Sequence, residues 1–149
     1  MLERASLRAI LDARNLETIF AWKSKRRFRL LESNTDADIE RSLRSAIDAA
    51  NVRDAVKALT PLKGVGVKMA SAILTAIKPT HYTVLDFRAL EALGVEDSDD
   101  LELYALYVEA CRNMSVKYGI DLRTFDRANW QWSKCKAVCG PKPWPRCTQ

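Results

Sequence analysis

Lys68 and Asp86 are the two residues of this chain whose types and spacing suit a reaction. The lysine follows a Gly64-Val65-Gly66 turn directly, and the aspartate comes 18 residues after it. A free amine attacks an electrophilic carbon. A fixed carboxylate takes up its proton, or steadies the positive charge that builds as a bond breaks. Beside a turn able to grip phosphate, these are the parts needed to break a bond at a nucleotide's sugar.

The turn makes the phosphate grip plausible. Glycines permit positive φ and carry no side chain, so successive backbone N–H groups can converge on one oxygen. The helix start that follows adds roughly half a positive charge at the same place. Lys63, just ahead, supplies a direct charge. Contacts of this kind position a nucleic acid without reading its sequence. The plain alternative is an ordinary two-glycine turn between packed helices. At a helix N-terminus the dipole disfavours an ammonium and favours the free amine. Met69, Ala72, Ile73 and Ala76 form an apolar stripe beside Lys68; a solvated helix lysine is the plain reading there. Asp86 is also a good N-cap for a helix over 87–93, and a capping carboxylate is held rigid, so the two roles are compatible.

The elements that must carry these residues are helical nearly throughout. Residues 2–22 place Leu7, Ile10, Leu11, Leu16, Ile19 and Phe20 at helical spacing, with a break expected near Asn15. A second helix starts at Asn34–Asp38 and buries Ile39, Leu43, Ala46, Ile47 and Ala50. Further helices are expected over 52–59, 67–77, 86–93, 101–118 and 122 to about 136. Lys78-Pro79, Gly94 and Gly119 act as stops. The helix over 101–118 offers Leu103, Leu106, Tyr107, Ala110 and Met114 as its apolar face. Tyr82–Leu85 reads as an extended connector, and the stretch from Gly140 to Pro145 cannot be helical. The expected fold class is therefore all-α: one compact helical bundle over 1–149, ending in a flexible Pro- and Cys-bearing tail over 137–149.

With 149 residues, 48% hydrophobic and 29% charged, the chain suits one soluble globular domain. No apolar run approaches the ~20 residues that span a bilayer. No signal peptide is visible at Met1-Leu2-Glu3-Arg4. These features lead us to expect an intracellular, cytoplasmic monomer, nucleoid-associated if bacterial. The net charge of +5 favours an anionic partner. It is unevenly spread: residues 22–29 and the tail from Lys134 to Arg146 are basic, whereas Glu96–Asp100 is acidic.

Leu62-Lys63-Gly64-Val65-Gly66-Val67-Lys68-Met69-Ala70, followed by Thr83-Val84-Leu85-Asp86, resembles the helix-hairpin-helix DNA glycosylases, the superfamily of endonuclease III and the 8-oxoguanine glycosylases. The likeness is specific over residues 59–93, within a hairpin core of about 52–94, and marks a short variant. It implies double-stranded DNA carrying a lesion or an abasic site as substrate, with base excision and abasic-site lyase as activities. On that resemblance Lys68 falls on the Schiff-base nucleophile and Asp86 on the catalytic aspartate. Gly64 and Gly66 fall on the phosphate-binding hairpin, with Lys63 and Val65 beside them. Lys63 stands where a proline is usual. Arg88 either faces DNA or pairs with Glu91. No cofactor is called for.

Other groups weigh less. Five basic residues among Trp22 and Phe28 suit a backbone grip, but a loop with both aromatics packed inward is favoured. Trp130 and Trp132, two residues apart, point to different faces, so at most one is core. His81 reads as a surface residue. Cys135-x3-Cys139-x7-Cys147 is unlike the iron–sulfur loop of endonuclease III relatives, and Cys111 lies in a distant helix. Zinc is conceivable there, but no metal is expected. The rival to an enzyme is a nonenzymatic DNA-binding module that keeps the hairpin and lacks a base pocket. A helical protein adaptor is the third possibility, and it would show no salt-dependent DNA affinity.

Overall fold

Apolar residues recur at helical spacing along the chain, and helices are what form. The computed structural model describes residues 13–139, with side chains described over 16–135. Among the described residues there are eight α-helices and no strand. In chain order they are α1 (Ala13–Lys23), α2 (Phe28–Leu31), α3 (Asp36–Asp48) and α4 (Val52–Leu59). Then come α5 (Val67–Ile77), α6 (Phe87–Ala92), α7 (Leu101–Tyr118) and α8 (Leu122–Cys139). A 3-10 turn, Lys25–Arg27, links α1 to α2. No described helix is long and apolar enough to cross a membrane.

Short polar side chains start five of these helices, and at α8 Asp121 accepts from Thr124 N. Thr35 accepts from Asp38 N, Asn51 from Asp54 N, Asp86 from Ala89 N and Asp100 from Leu103 N. Each such cap is worth ~1 kcal/mol. Gly94 and Gly119, at φ 68° and 63°, end α6 and α7 in the left-handed conformation that glycine tolerates best.

Helix α5 is the hub. Every residue from Val67 to Ile77 is buried except Lys68 and Ala76, so the helix is apolar almost all round. It packs on α1, α4 and α7, while α8 closes over α6 and α7. The core between them includes Phe20, Leu43, Leu59, Ile73, Leu85, Leu90, Tyr104 and Val108. Truncating one of its large aliphatic residues to Ala is expected to cost about 2–5 kcal/mol.

Several local expectations change. Helix α1 continues through Asn15. Residues 25–31 form a 3-10 turn and a helical turn in place of a loop. Phe28 packs against the core but Trp22 is 65% exposed. Ala50 is exposed, because α3 ends at Asp48 and the chain turns there. On α7 the buried face is Tyr104, Tyr107, Val108 and Cys111, leaving Leu106, Ala110 and Met114 exposed. The Tyr104 hydroxyl sets that rotation by donating to Thr83 O at 3.1 Å. Trp130 and Trp132 are both exposed, because α8 lies over α6 and α7 and turns Leu122 and Ser133 inward. Helix α8 runs to Cys139, past the expected end near 136. Leu7, Ile10, Leu11 and the tail beyond Cys139 lie outside the described residues.

Candidate functional site

The Gly64-Val65-Gly66 segment forms a tight turn closed by Val65 N donating to Leu62 O at 3.1 Å. Gly64 sits at φ 87°, the positive value that the third residue of a type II turn requires. A Cβ there would also meet Leu30 Cβ at 3.0 Å and Phe20 Cε1 at 3.1 Å. The Asn34 side chain pins the turn, accepting from Lys63 N at 2.8 Å and donating to Lys63 O at 3.1 Å. Val65 is buried, and its N–H is spent on the turn itself. Among the described residues, the Gly64 and Gly66 N–H groups have no acceptor.

The helix start beyond the turn already carries an anion. Asp99 Oδ1 accepts from Lys68 N at 2.9 Å, and Asp97 Oδ1 lies 2.5 Å from Lys68 Nζ. Asp99 Oδ2 comes within 2.6 Å of where a Cβ on Gly66 would stand, and Arg27 Nη1 within 3.5 Å. Only glycine leaves room for that carboxylate. The acidic run 96–100 therefore folds back onto the turn, where the dipole and the amides favour negative charge.

Asp86 is held by a different set of bonds. Three side chains bond backbone groups of the connector over 82–85, and a fourth bonds the carbonyl before it. Arg112 donates to His81 O, just ahead of it, at 2.8 Å. Tyr104 donates to Thr83 O at 3.1 Å, and Lys23 Nζ to Leu85 O at 3.2 Å. Leu85 N donates to Ser71 Oγ at 2.8 Å. Ser71 in turn donates to Lys68 O at 2.7 Å, so one hydroxyl joins the turn that carries Lys68 to the residue before Asp86. These bonds anchor an extended segment that no strand partners.

Asp86 lines a cavity of about 460 Å³ together with Trp22, Val84, Asp126, Arg127 and Trp130. That size falls in the range of small-ligand pockets, about 300–1,000 Å³. Lys68 does not line it, since its amine is turned to Asp97. Arg123, Asp126, Arg127, Trp130 and Lys134 fall at helical spacing along one stripe of α8. Lys134 Nζ lies 5.0 Å from the Trp130 ring centre and the Arg88 guanidinium 5.5 Å. Arg88 also stacks on Phe87 at 4.9 Å. Glu91 is bonded by the Ser133 hydroxyl instead. Arg88 thus packs over Trp130, which lines the cavity, without lining it itself.

Electrostatics single out two further groups. Burial lowers the Lys23 amine below its usual range, with Asp86 and Asp126 opposing and Lys68 reinforcing the shift. Burial raises the Asp126 carboxyl above its usual range. Cys111 is buried, and desolvation pushes its thiol up to about 11, a poor nucleophile or metal ligand. Cys135 accepts from Gln131 on the surface. His81 is exposed beside Thr80. Among the described residues no His, Cys, Asp and Glu group suits a metal; the side chains of Cys139 and Cys147 lie outside them.

Asp126 and Ser71 were not singled out from the sequence; Lys23 entered only within the basic cluster 22–29, and Glu96–Asp100 only as an acidic run. The polar and aromatic stripe of α8 was the readable signal for Asp126 and Arg127. Lys23 and Ser71 carried none, since their roles depend on a connector 62 and 14 residues away. No protein-family model, curated protein or solved structure matches this chain.

Proposed function

We propose that the chain is a DNA base-excision glycosylase with abasic-site lyase activity, acting as an intracellular monomer on damaged double-stranded DNA. Lys68 is the Schiff-base nucleophile and Asp86 its assistant. The observation that carries this reading is the Ser71 bridge, which ties the turn bearing Lys68 to the segment bearing Asp86 at the mouth of an aromatic-lined cavity. The Asp99 carboxylate on Lys68 N supports it further, as an anion in the position a backbone phosphate would take.

In the proposed reaction the target nucleotide rotates out of the duplex and its base enters between Trp22 and Trp130. Duplex phosphates displace Asp97 and Asp99. The Lys68 amine attacks C1′ and the base leaves. Asp86 accepts the amine's proton or steadies the cationic sugar. The resulting imine permits β-elimination of the 3′-phosphate. Lys63, Gly64 and Gly66 hold the backbone, Val65 shapes the turn, and Arg88 supports Trp130 at the rim.

The test is borohydride trapping with duplexes carrying different lesions or an abasic site. The wild-type chain is expected to give a covalent adduct, and Lys68→Gln to cut base release sharply while keeping DNA affinity. Absence of any adduct across the panel would sink the enzyme reading. A nonenzymatic DNA-binding module is the second reading, favoured by the engagement of the Lys68 amine with Asp97 away from the cavity. It predicts salt-dependent DNA binding with no cleavage to lose.

A further inference from the structure

Lys23 ends α1 and reaches across to the connector, where its Nζ donates to Leu85 O at 3.2 Å. Among the described residues it makes no ion pair, whereas the Lys68 amine is held by Asp97. The residues flanking it line the cavity: Trp22 precedes it in the chain, and Val84 and Asp86 stand either side of its acceptor. Besides that neutral carbonyl the amine has the Trp22 ring, its centre 5.9 Å away, and no carboxylate in direct contact. We propose that Lys23 is a second nucleophilic amine of this site, one that forms an imine with the C1′ aldehyde of an abasic deoxyribose. The inference rests on reading the cavity as a base-excision site, and adds the residue that engages the sugar once its base is gone.

The chemistry needs no further reactant. The neutral Lys23 amine adds to the C1′ aldehyde. With one proton taken from solvent, the carbonyl oxygen leaves as water and a protonated imine remains. Loss of a C2′ proton to Asp86 then breaks the bond to the 3′-phosphate, which departs with its electron pair. Desolvation keeps the amine more readily neutral than an exposed lysine, as a nucleophile needs. The charged groups acting on it are Asp86 on the connector, Asp126 on α8 and Lys68 on α5.

The experiment is borohydride trapping on a duplex with one preformed abasic site, with the modified lysine mapped by mass spectrometry. Wild type, Lys68→Gln, the Lys23→Gln/Lys68→Gln double variant and Lys23→Arg in the Lys68→Gln background are compared. Lys68→Gln is expected to retain adduct within about tenfold of wild type, mapped to Lys23. The double variant is expected to lose it. Lys23→Arg keeps the charge and the reach to Leu85 but forms no imine, so in the Lys68→Gln background it too is expected to lose the adduct at unchanged thermal stability. Complete loss in Lys68→Gln, or an adduct mapped only to Lys68, overturns the role of Lys23 and leaves the base-excision reading intact. No adduct with the wild type overturns both.

Discussion

The Ser71 hydroxyl accepts the Leu85 N–H at 2.8 Å while donating to Lys68 O at 2.7 Å, in a fully buried position. Removing it strands a buried N–H and loosens the connector ahead of Asp86. Ser71→Ala is expected to lower stability by about 1–3 kcal/mol, read from urea unfolding. It is also expected to reduce base release more than DNA affinity, because the turn stays intact while the two reacting groups lose their tie. Equal losses in both would place Ser71 in general packing alone.

Asp97 and Asp99 compete with any anion for the Lys68 amine and amide. The Asp97→Asn/Asp99→Asn pair is therefore expected to bind duplex DNA about 5–10-fold more tightly, with a salt slope steeper by about one unit. Asp48→Asn, a single charge removal at the end of α3, is the control for net charge and is expected to change affinity far less. Fluorescence anisotropy at two salt concentrations reads both quantities.

Lys63 occupies the second position of a turn where proline commonly fits a type II geometry. Here its N–H is used, donating to Asn34 Oδ1 at 2.8 Å. Lys63→Pro is expected to destabilise the chain by about 1 kcal/mol, and Asn34→Ala by a similar amount. In the Asn34→Ala background the proline has no bond left to break, and stiffening the unfolded chain is expected to make it neutral or stabilising by about 0.4–1 kcal/mol. A double-mutant cycle in urea measures this coupling. Additive losses would show that Asn34 does not explain the lysine.

The helices were legible because their signals are local. Gly94, Gly119 and Asp86 mark ends through their own chemistry, and the 3.6-residue apolar period marks α3 and α4. The turn and its 18-residue interval to Asp86 were legible for the same reason. The buried face of α7 was legible only in part: Tyr107 is buried and Leu103 packs on the core as expected, but Leu106, Ala110 and Met114 repeat at helical spacing as Tyr104, Val108 and Cys111 do. The choice between them was made by Tyr104 reaching Thr83 O, 21 residues away. Likewise nothing near Glu96–Asp100 announces that its carboxylates fold back onto Gly66 and Lys68. That contact is 29–31 residues long in sequence and arises only once α6 and α7 are packed.

Trp22 and Trp130 are 65% and 41% exposed and line the same cavity. Two exposed tryptophans at one opening are expensive unless something covers them, and a base offers a π-face of suitable size. Trp22→Ala and Trp130→Ala are each expected to weaken binding to a base-bearing flipped nucleotide by about 1–3 kcal/mol. Binding to abasic DNA, where nothing stacks, is expected to change little. Comparison of the two ligands separates stacking from general contact. Thermal stability of Trp22→Ala is expected to stay within about 0.5 kcal/mol of wild type, as for other exposed substitutions.

Burial holds the Asp126 carboxyl above its ordinary range, so the native state binds that proton more readily than the unfolded chain. Its charged form is therefore disfavoured on folding. The effect on stability is absent while both states are protonated. It grows as pH rises from the unfolded value, about 3.9, through the higher native value, and is complete at neutral pH. Asp126→Asn removes the ionisation and is expected to be more stable than wild type at pH 7, with the advantage shrinking as the pH falls back through that window. Urea midpoints between pH 3 and pH 7 read the trend. Opposing burial are first the Thr83 hydroxyl beside the carboxyl, then the Arg123 ion pair at 3.2 Å, with Asp126 15% and Arg123 45% exposed, and more weakly the Lys23 charge. Exposure of the arginine leaves that pair screened and weak, so desolvation of the carboxylate is expected to win. A variant less stable than wild type at pH 7 would show that the ion pair outweighs burial.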